Sequence, residues 1–486
     1  MIQVESIGTR RELFVDDALI HSTTARLALQ KPERREVCFR FEAPFEGSGN
    51  GYPVLIKDGE LYRLFYKAAY LTSEDGKEIY ISPEDRERNP VYGCVIESKD
   101  GVRWYRPSVG EVACGGSKDN NIVLHIPDLD AFIPFLDANP ACPPEARYKA
   151  LVATWKKLYA YQSPDGYRWT SMGERPLPIE GTFDSSNLAF WDETRNRYWA
   201  YVRNFHNVPG EDYNVGVRDI SWSESADFHS WSKSELLDFG SSPDIPLYVS
   251  AIAPYYRAPH LFVGFPARYV EHRRWSPSFD QLPDPEHRRN RMAHHPRYGL
   301  ALTDCAFMSS RDGKAWRRTD EAFVRPGMNR ATNWAYGDSF LSIGMAETKS
   351  EWAGAANDIS LYAIVNYWKG PMELHRYTIR QDGFMALSAD AKGHETLTRL
   401  FTFEGSRLTL NVSTAAVGGM KVELQDVGGI PIQGFTLADC DDIFGDRVDY
   451  VVSWNGASDV SALAGKAVRM RLYMCDADLF SFRFEA

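Results

Sequence analysis

TFDSSNLAFWDETRNRYWAYVRNF, residues 182–205, holds a strand-like run from Asn187 to Trp191, a polar turn from Asp192 to Asn196 and a second aromatic, β-branched run from Arg197 to Arg203. Two such runs across a short polar turn spell a β-hairpin. Asp184 stands just ahead of the first strand and Arg203 closes the second. If hairpins of this kind recur around an axis, the residues ahead of each first strand converge on one central opening, and chemistry is expected there.

The hairpin does recur, marked by a local signature. SKDGVRW at Ser98–Trp104, SPDGYRW at Ser163–Trp169 and SRDGKAW at Ser310–Trp316 repeat one pattern, with a degenerate copy, SADFHSW, at Ser225–Trp231 and a reduced one, RQDGFMAL, at Arg380–Leu387. Asp-Gly makes a tight turn, the Ser and Asp side chains satisfy backbone donors within it, and the Trp folds back onto the sheet. The pattern resembles the Asp-boxes of β-propeller glycosidases, which join the third and fourth strands at a blade rim, so Asp100, Asp165 and Asp312 read as structural.

Five turns imply five blades. The first spans about 51–107, with strands at Tyr52–Ile56, Leu61–Lys67 and Val91–Ser98; the second opens at Asp119, Asn120, Asn121 and Ile122 and carries Tyr148–Thr154 and Leu158–Ser163. The third is the opening stretch plus Gly216–Ser223, the fourth runs from Leu247 to Trp316 and the fifth from Asn333 to Leu387. Helical periodicity is scarce, which favours an all-β chain. The fourth blade is interrupted by Glu271–Arg297, rich in Pro, Arg and His, which reads as a solvated loop. Its sharper reading is a lid or an oligomer contact that brings cations to the mouth for an acidic sugar. After Leu387 come short alternating strands with glycine turns, so the chain divides into a propeller at 1–387 and a β-sandwich at 388–486.

Composition agrees. Of 486 residues 44% are hydrophobic and 25% charged, as in a globular domain, and the 13% aromatic content favours strands or ring-stacking surfaces. A formal charge of -11 argues against nucleic acid as a partner. Cys 7 is an odd count with no close pairing, which disfavours a disulfide framework or a zinc site and points to reduced thiols in a cytoplasm. The start lacks a signal-like apolar segment, a trimmed leader being the alternative, and no run approaches the ~20 apolar residues of a membrane span. No dinucleotide fingerprint, P-loop, H-E-x-x-H or G-x-S-x-G is present, and no cofactor or metal is expected.

A five-bladed propeller followed by a sandwich resembles the invertase and fructanase type of glycoside hydrolase. RELFVDDALI, FDSSNLAFWD, RAPHLFVGFPARY, LTDCAFMSSRDG and GFTLADCDDIFGD are similar to stretches of a bacterial glycosyl hydrolase-like group, over nearly the whole chain. The resemblance implies a hydrolase acting on a carbohydrate, and a homo-oligomer is compatible with it. The fructosidases' own acid motifs have no matching set here, so fructose specificity is not carried over. Their absence supports a second reading, a non-catalytic carbohydrate-binding propeller.

Glycoside hydrolysis needs two carboxyl groups flanking the bond. The acids at the starts of innermost strands are Glu46, Asp119, Asp184 and Asp338, with Asp184 first, then Asp338 and Glu46 as catalytic candidates. Glu46 beside Phe45 suits an acid of raised pKa. Asp137 and Glu347 are reserves, and Asp219 follows Arg218, with which it can pair. Substrate-binding candidates are Asn121 and Asn187 at strand starts, Arg203, Arg257, His260 and Arg268 as forked or polar donors, and Trp334 and Tyr336 as stacking platforms. Arg257 and His260 interrupt an apolar run and keep a third reading alive, a polysaccharide lyase acting on an Arg-neutralised uronate.

Overall fold

Antiparallel pairing divides most of the chain into five blades. The computed structural model describes residues 4–73, 75–80, 82–154, 156–208, 216–272 and 274–486. Blade I is Gly51–Asp58, Leu61–Ala68, Tyr92–Ser98 and Ile122–Leu124, and blade II is Leu129–Leu136, Tyr148–Thr154, Lys157–Ser163 and Thr170–Ser171. Blade III is Leu188–Asp192, Arg197–His206, Val217–Ser225 and Glu235–Leu236. Blade IV is Ala253–Tyr255, Ala258–Gly264, Met308–Ser310 and Arg317–Arg318. In blade V the innermost position is shared by Phe340–Leu341 and Ala346–Thr348, which pair with Asp358–Val365; Met372–Arg380 follows. The outermost strand is supplied by Glu33–Phe41 from near the other end of the chain.

Three expectations are corrected by this pairing. Asp119–Ile122 leads into the outermost strand of blade I, and blade II opens later, at Leu129. The strands Glu12–Leu13, Ile20–Thr23 and Arg26–Leu29 pair with Met385–Ala389, His394–Thr398 and Arg469–Glu485, so residues 12–29 lie in the C-terminal sheet, although the sequence assigns 1–387 to the propeller. Phe14, Leu19 and Ile20 are buried there with Leu387, Phe401 and Leu410. The C-terminal region is hydrogen-bonded as one eight-stranded sheet, in which Arg407–Gln425 and Arg469–Glu485 pair along their length with a register break between Thr414 and Gly419 that bends the ladder. Thirdly, the interruption in blade IV is ordered. It is a hairpin, Ala267–Glu271 with Ala301–Cys305, carrying helices α2 (Pro277–Asp280), α3 (Pro285–Met292) and α4 (Arg297–Leu300); helix α1 (Pro83–Arg88) belongs to blade I. Arg273 lies outside the described residues.

The four Trp-bearing turns share one set of bonds. The Ser hydroxyl accepts from the third residue on, at 2.8 Å in Gly101 and 2.9 Å in Gly166, Phe228 and Gly313, and the Trp indole donates back to that residue's carbonyl. That residue is left-handed, Phe228 included. Neighbouring blades hold the turns: Tyr362 donates to the Gly101 carbonyl, Arg63 to that of Asp165 and Tyr201 to that of Gly313. At Gly313, φ is +80° and a Cβ would stand 2.7 Å from the Phe262 ring and 2.9 Å from the Tyr201 hydroxyl. Gly313→Ala is therefore expected to cost about 1–3 kcal/mol in urea unfolding. An unchanged midpoint would mean the turn does not join blades III and IV. The reduced turn at Arg380–Leu387 is built otherwise: Asp382 is fully buried and binds Tyr255, Arg257 and Ser481, joining blades to the C-terminal sheet.

Candidate functional site

Each innermost strand begins near the axis, and each of the five approaches contains a non-glycine residue forced left-handed: Tyr52 (φ 53), Asp128 (φ 58), Phe183 (φ 58), Ala251 (φ 44) and Ser339 (φ 64). Such strain persists only where surrounding contacts over-determine it. At blade III those contacts are visible. Asn187 donates to the carbonyls of Phe183 and Ser185 and accepts from the Arg203 amide, while the Ser185 hydroxyl donates to the Tyr248 carbonyl at 2.8 Å. Asn187 thus braces the loop that carries Asp184.

Asp184 stays half exposed, at 50%, with Arg203 Nη1 3.4 Å away. The Arg203 side chain is itself buried, donates to the Tyr248 carbonyl and lies 4.1 Å from the centre of the Tyr248 ring. From blade II comes a second carboxylate, Asp130, 3.7 Å from Lys67 and 3.2 Å from Arg86 of α1. Lys67 is enclosed, 5.0 Å over the Tyr52 ring; burial lowers its pKa, and Asp130 and Asp184 both act against that fall. Lys67 is thus paired with Asp130 and feels the charge of Asp184. Tyrosines from several blades wall the same space: Tyr248 and Tyr336 have ring centres 5.2 Å apart with their hydroxyls in contact, and Tyr367 is 5.6 Å from Tyr336. Burial holds the hydroxyls of Tyr52 and Tyr336 well above the ordinary tyrosine pKa.

The helical insertion roofs this space. Its α3 begins at Asp284, whose carboxylate accepts from the His287 amide, followed by a proline, a strong helix-start signal. His287 and Asn290 bond the Gly76 carbonyl from blade I, at 3.1 Å and 3.0 Å. Lys369 from blade V pairs with Asp284, and Arg288 donates to the Trp334 carbonyl at 2.9 Å. The arrangement is a cover clamped to two blades.

Several sequence-derived candidates lie elsewhere. Glu46 is fully buried; Oε1 accepts from Tyr66 at 2.6 Å and Arg106 at 3.0 Å, and Oε2 from Arg106 at 2.6 Å and the Ala43 amide at 2.7 Å, leaving neither oxygen for a substrate. Asn121 donates to Tyr66 and the Val95 carbonyl, bracing blade I. Arg257 is bound by Asp382, and His260 is 3.4 Å from buried Glu12 at the contact with the C-terminal sheet. Arg268 is forked onto Asp304, both bonds 2.6 Å, and with Trp334 lines a separate cavity of about 820 Å³ beside the insertion. Asp137 is held by Lys149 and Tyr198, Glu347 by Tyr256 and Asn357, and Asp219 pairs with His206 rather than Arg218. Of the candidates, Asp184, Arg203, Asn187 and Tyr336 are brought together. Asp130, Lys67, Arg86 and Tyr248 were missed, because each lies inside an ordinary strand or loop pattern.

Asp338 is buried, with Oδ2 accepting from the Ala335 amide at 3.3 Å and Oδ1 without a partner among the described residues. Burial raises its pKa from 3.8 to about 6, against the pull of backbone donors and Arg330. The folded protein then holds a proton that the unfolded chain has lost between these values, so stability falls as pH rises through that window and levels off above it. Asp338→Asn is expected to remove this slope and add on the order of 2–3 kcal/mol at pH 7. Thermal melts across pH 4–8 check this, and an unchanged slope sinks it.

Among the described residues no group of three His, Cys, Asp or Glu side chains is placed to hold a metal ion, and no helix is long and apolar enough to cross a membrane. No family model and no curated protein matches the chain. Among solved structures it is similar to a glycoside hydrolase family 43 arabinoxylan arabinofuranohydrolase from Bacillus subtilis, at 11% identity and TM-score 0.42 over 90% of this chain and 96% of that one. It is similar to an N-acetylgalactosamine deacetylase from F. plautii, at 11% and 0.42 over 72% and 94%. A fructofuranosidase variant from Schwanniomyces occidentalis gives 11% and 0.39 over 92% and 96%. The five-bladed propeller is defined by the strand pairing itself.

Proposed function

We propose that the protein is a glycoside hydrolase that cleaves an oligosaccharide or glycoside at the propeller axis, with Asp184 and Asp130 as its two carboxyl groups. The observation that carries this reading is geometric: Lys67 stands 3.7 Å from Asp130 and 5.0 Å over the Tyr52 ring, while Asp184, half exposed, is held by Arg203 against the Tyr248 ring. Hydrolysis needs a proton donor on one side of the bond and a base or nucleophile on the other. Asp184, the more exposed, is assigned the donor; Asp130, contacted by Lys67 and Arg86, the base or nucleophile. The rings of Tyr52, Tyr248 and Tyr336 offer faces on which a sugar can stack.

The test is reducing-sugar release from a broad panel of glycosides by the wild type, Asp184→Asn and Asp130→Asn. Loss in both variants, with melting curves retained, is the expected result. Full activity in either removes that residue from the pair. A second reading is favoured by Arg203 over the Tyr248 ring and the Tyr248–Tyr336 hydroxyl contact, the neighbours a lyase would use to neutralise a uronate and move its proton. An unsaturated, ultraviolet-absorbing product would select it. Binding without turnover would select the non-catalytic propeller.

A further inference from the structure

Resting on the carbohydrate reading of the axial site, we propose that the saccharide taken there is anionic, and that Arg291 of the roof, set in place beside Arg288, receives its oxyanion. Arg291 is 3% exposed and Arg288 1%. Arg288 is fixed by carbonyls, at 2.9 Å from Trp334 and 3.4 Å from Gly299. Arg291 differs: its Nε and Nη1 have no hydrogen-bond partner among the described residues, and no carboxylate of these residues lies within 4.0 Å of it. The acids near enough to act on it are Asp284, already engaged by Lys369, and Asp338.

A buried guanidinium without a counter-charge is costly, and a ligand oxyanion would supply the missing anion. Its position says which ligand. Arg291 lies 5.2 Å from the Trp368 ring, and Trp368 packs at 6.3 Å on Tyr336 and 5.9 Å on Tyr367, so the cation stands at the aromatic wall of the same axis. Within that space, among the described residues, Lys67, Arg86 and Arg203 form ion pairs only with Asp130 and Asp184. Cations therefore outnumber acids before Arg291 is counted. An oxyanion could be carried on the sugar, as a uronate, or be free phosphate; the aromatic faces around it favour the sugar-borne form.

Calorimetry on the full chain, with digalacturonate, glucuronides and their neutral counterparts as probes and inorganic phosphate at matched ionic strength, separates these cases. A uronate is expected to bind about tenfold or more tighter than its neutral counterpart, and Arg291→Gln to lose that margin while Arg291→Lys keeps part of it. Arg291→Met is expected to raise the melting temperature of the ligand-free protein, since it removes an uncompensated charge. Equal binding of neutral and acidic probes, no binding of any uronate, a phosphate response as large as the uronate's, or a lowered melting temperature in Arg291→Met each overturns the proposal. Because Asp184→Asn retains the roof, uronate binding by that variant without hydrolysis by the wild type would sink the hydrolase reading and leave this one standing; hydrolysis of neutral glycosides alone would do the reverse.

Discussion

Asp184→Asn is expected to lower kcat/KM by about a thousandfold or more on whichever glycoside the wild type cleaves, because removing the proton donor leaves the bond with only the opposite carboxylate. The loss should fall on kcat more than on KM, since the aromatic faces and the cations that hold the sugar are untouched. Asparagine is the informative replacement. Arg203 is buried and keeps its bond to the Tyr248 carbonyl and an oxygen at the old carboxylate position, so the fold should lose no more than about 1 kcal/mol, the scale of a half-exposed ion pair. A variant that unfolds would make the activity loss uninformative, and one that stays folded with kcat intact would move the chemistry to another acid.

The largest stability effect is expected far from the axis. Asp382→Ala should cost about 3–5 kcal/mol, the scale for removing one partner of a buried ion pair. Its Oδ1 accepts from the Tyr255 hydroxyl at 2.7 Å and Arg257 Nε at 2.8 Å; its Oδ2 accepts from the Ser481 hydroxyl at 2.7 Å and, at 3.3 Å, from Asn411 and Arg11. Truncation would leave two largely enclosed guanidiniums facing each other. Burial pushes the Asp382 carboxyl up, but Arg11 and Arg257 outweigh it and hold it below the ordinary 3.8. The stabilisation is thus complete above pH 3.8 and is lost as pH falls through the depressed value. Urea titrations should show the full gap between wild type and variant at pH 7 and a narrowing gap below pH 3.8; a gap independent of pH would mean packing, not charge, holds this joint.

What the sequence discloses depends on how local the physics is. The turns at Ser98, Ser163, Ser225 and Ser310 are legible because Ser, Asp, Gly and Trp satisfy one another within seven residues. Asp184 is legible for a related reason: a polar run breaks before a hydrophobic strand. Asp130 is not, since LDAFIPFL reads as any buried strand and its partners, Lys67 and Arg86, come from another blade. Misplacing the start of blade II at Asp119 hid it further. Arg257 and His260 interrupt an apolar run, as a site residue would, yet the interruption answers Asp382 and Glu12 across a domain contact. Helix α3 carried a readable start, Asp284-Pro285, which its arginine-rich composition disguised as loop.

The strand Glu33–Phe41 closing blade V has a consequence for how the chain is made. Residues 33–41 leave the ribosome before blades I to IV and must wait for Met372–Arg380, their only ladder partner among the described strands. Residues 12–29 wait longer, for Arg469–Glu485 and its neighbours. The ring therefore cannot lock in the order of translation. A gene cut at position 387 would separate strands that are neighbours in space.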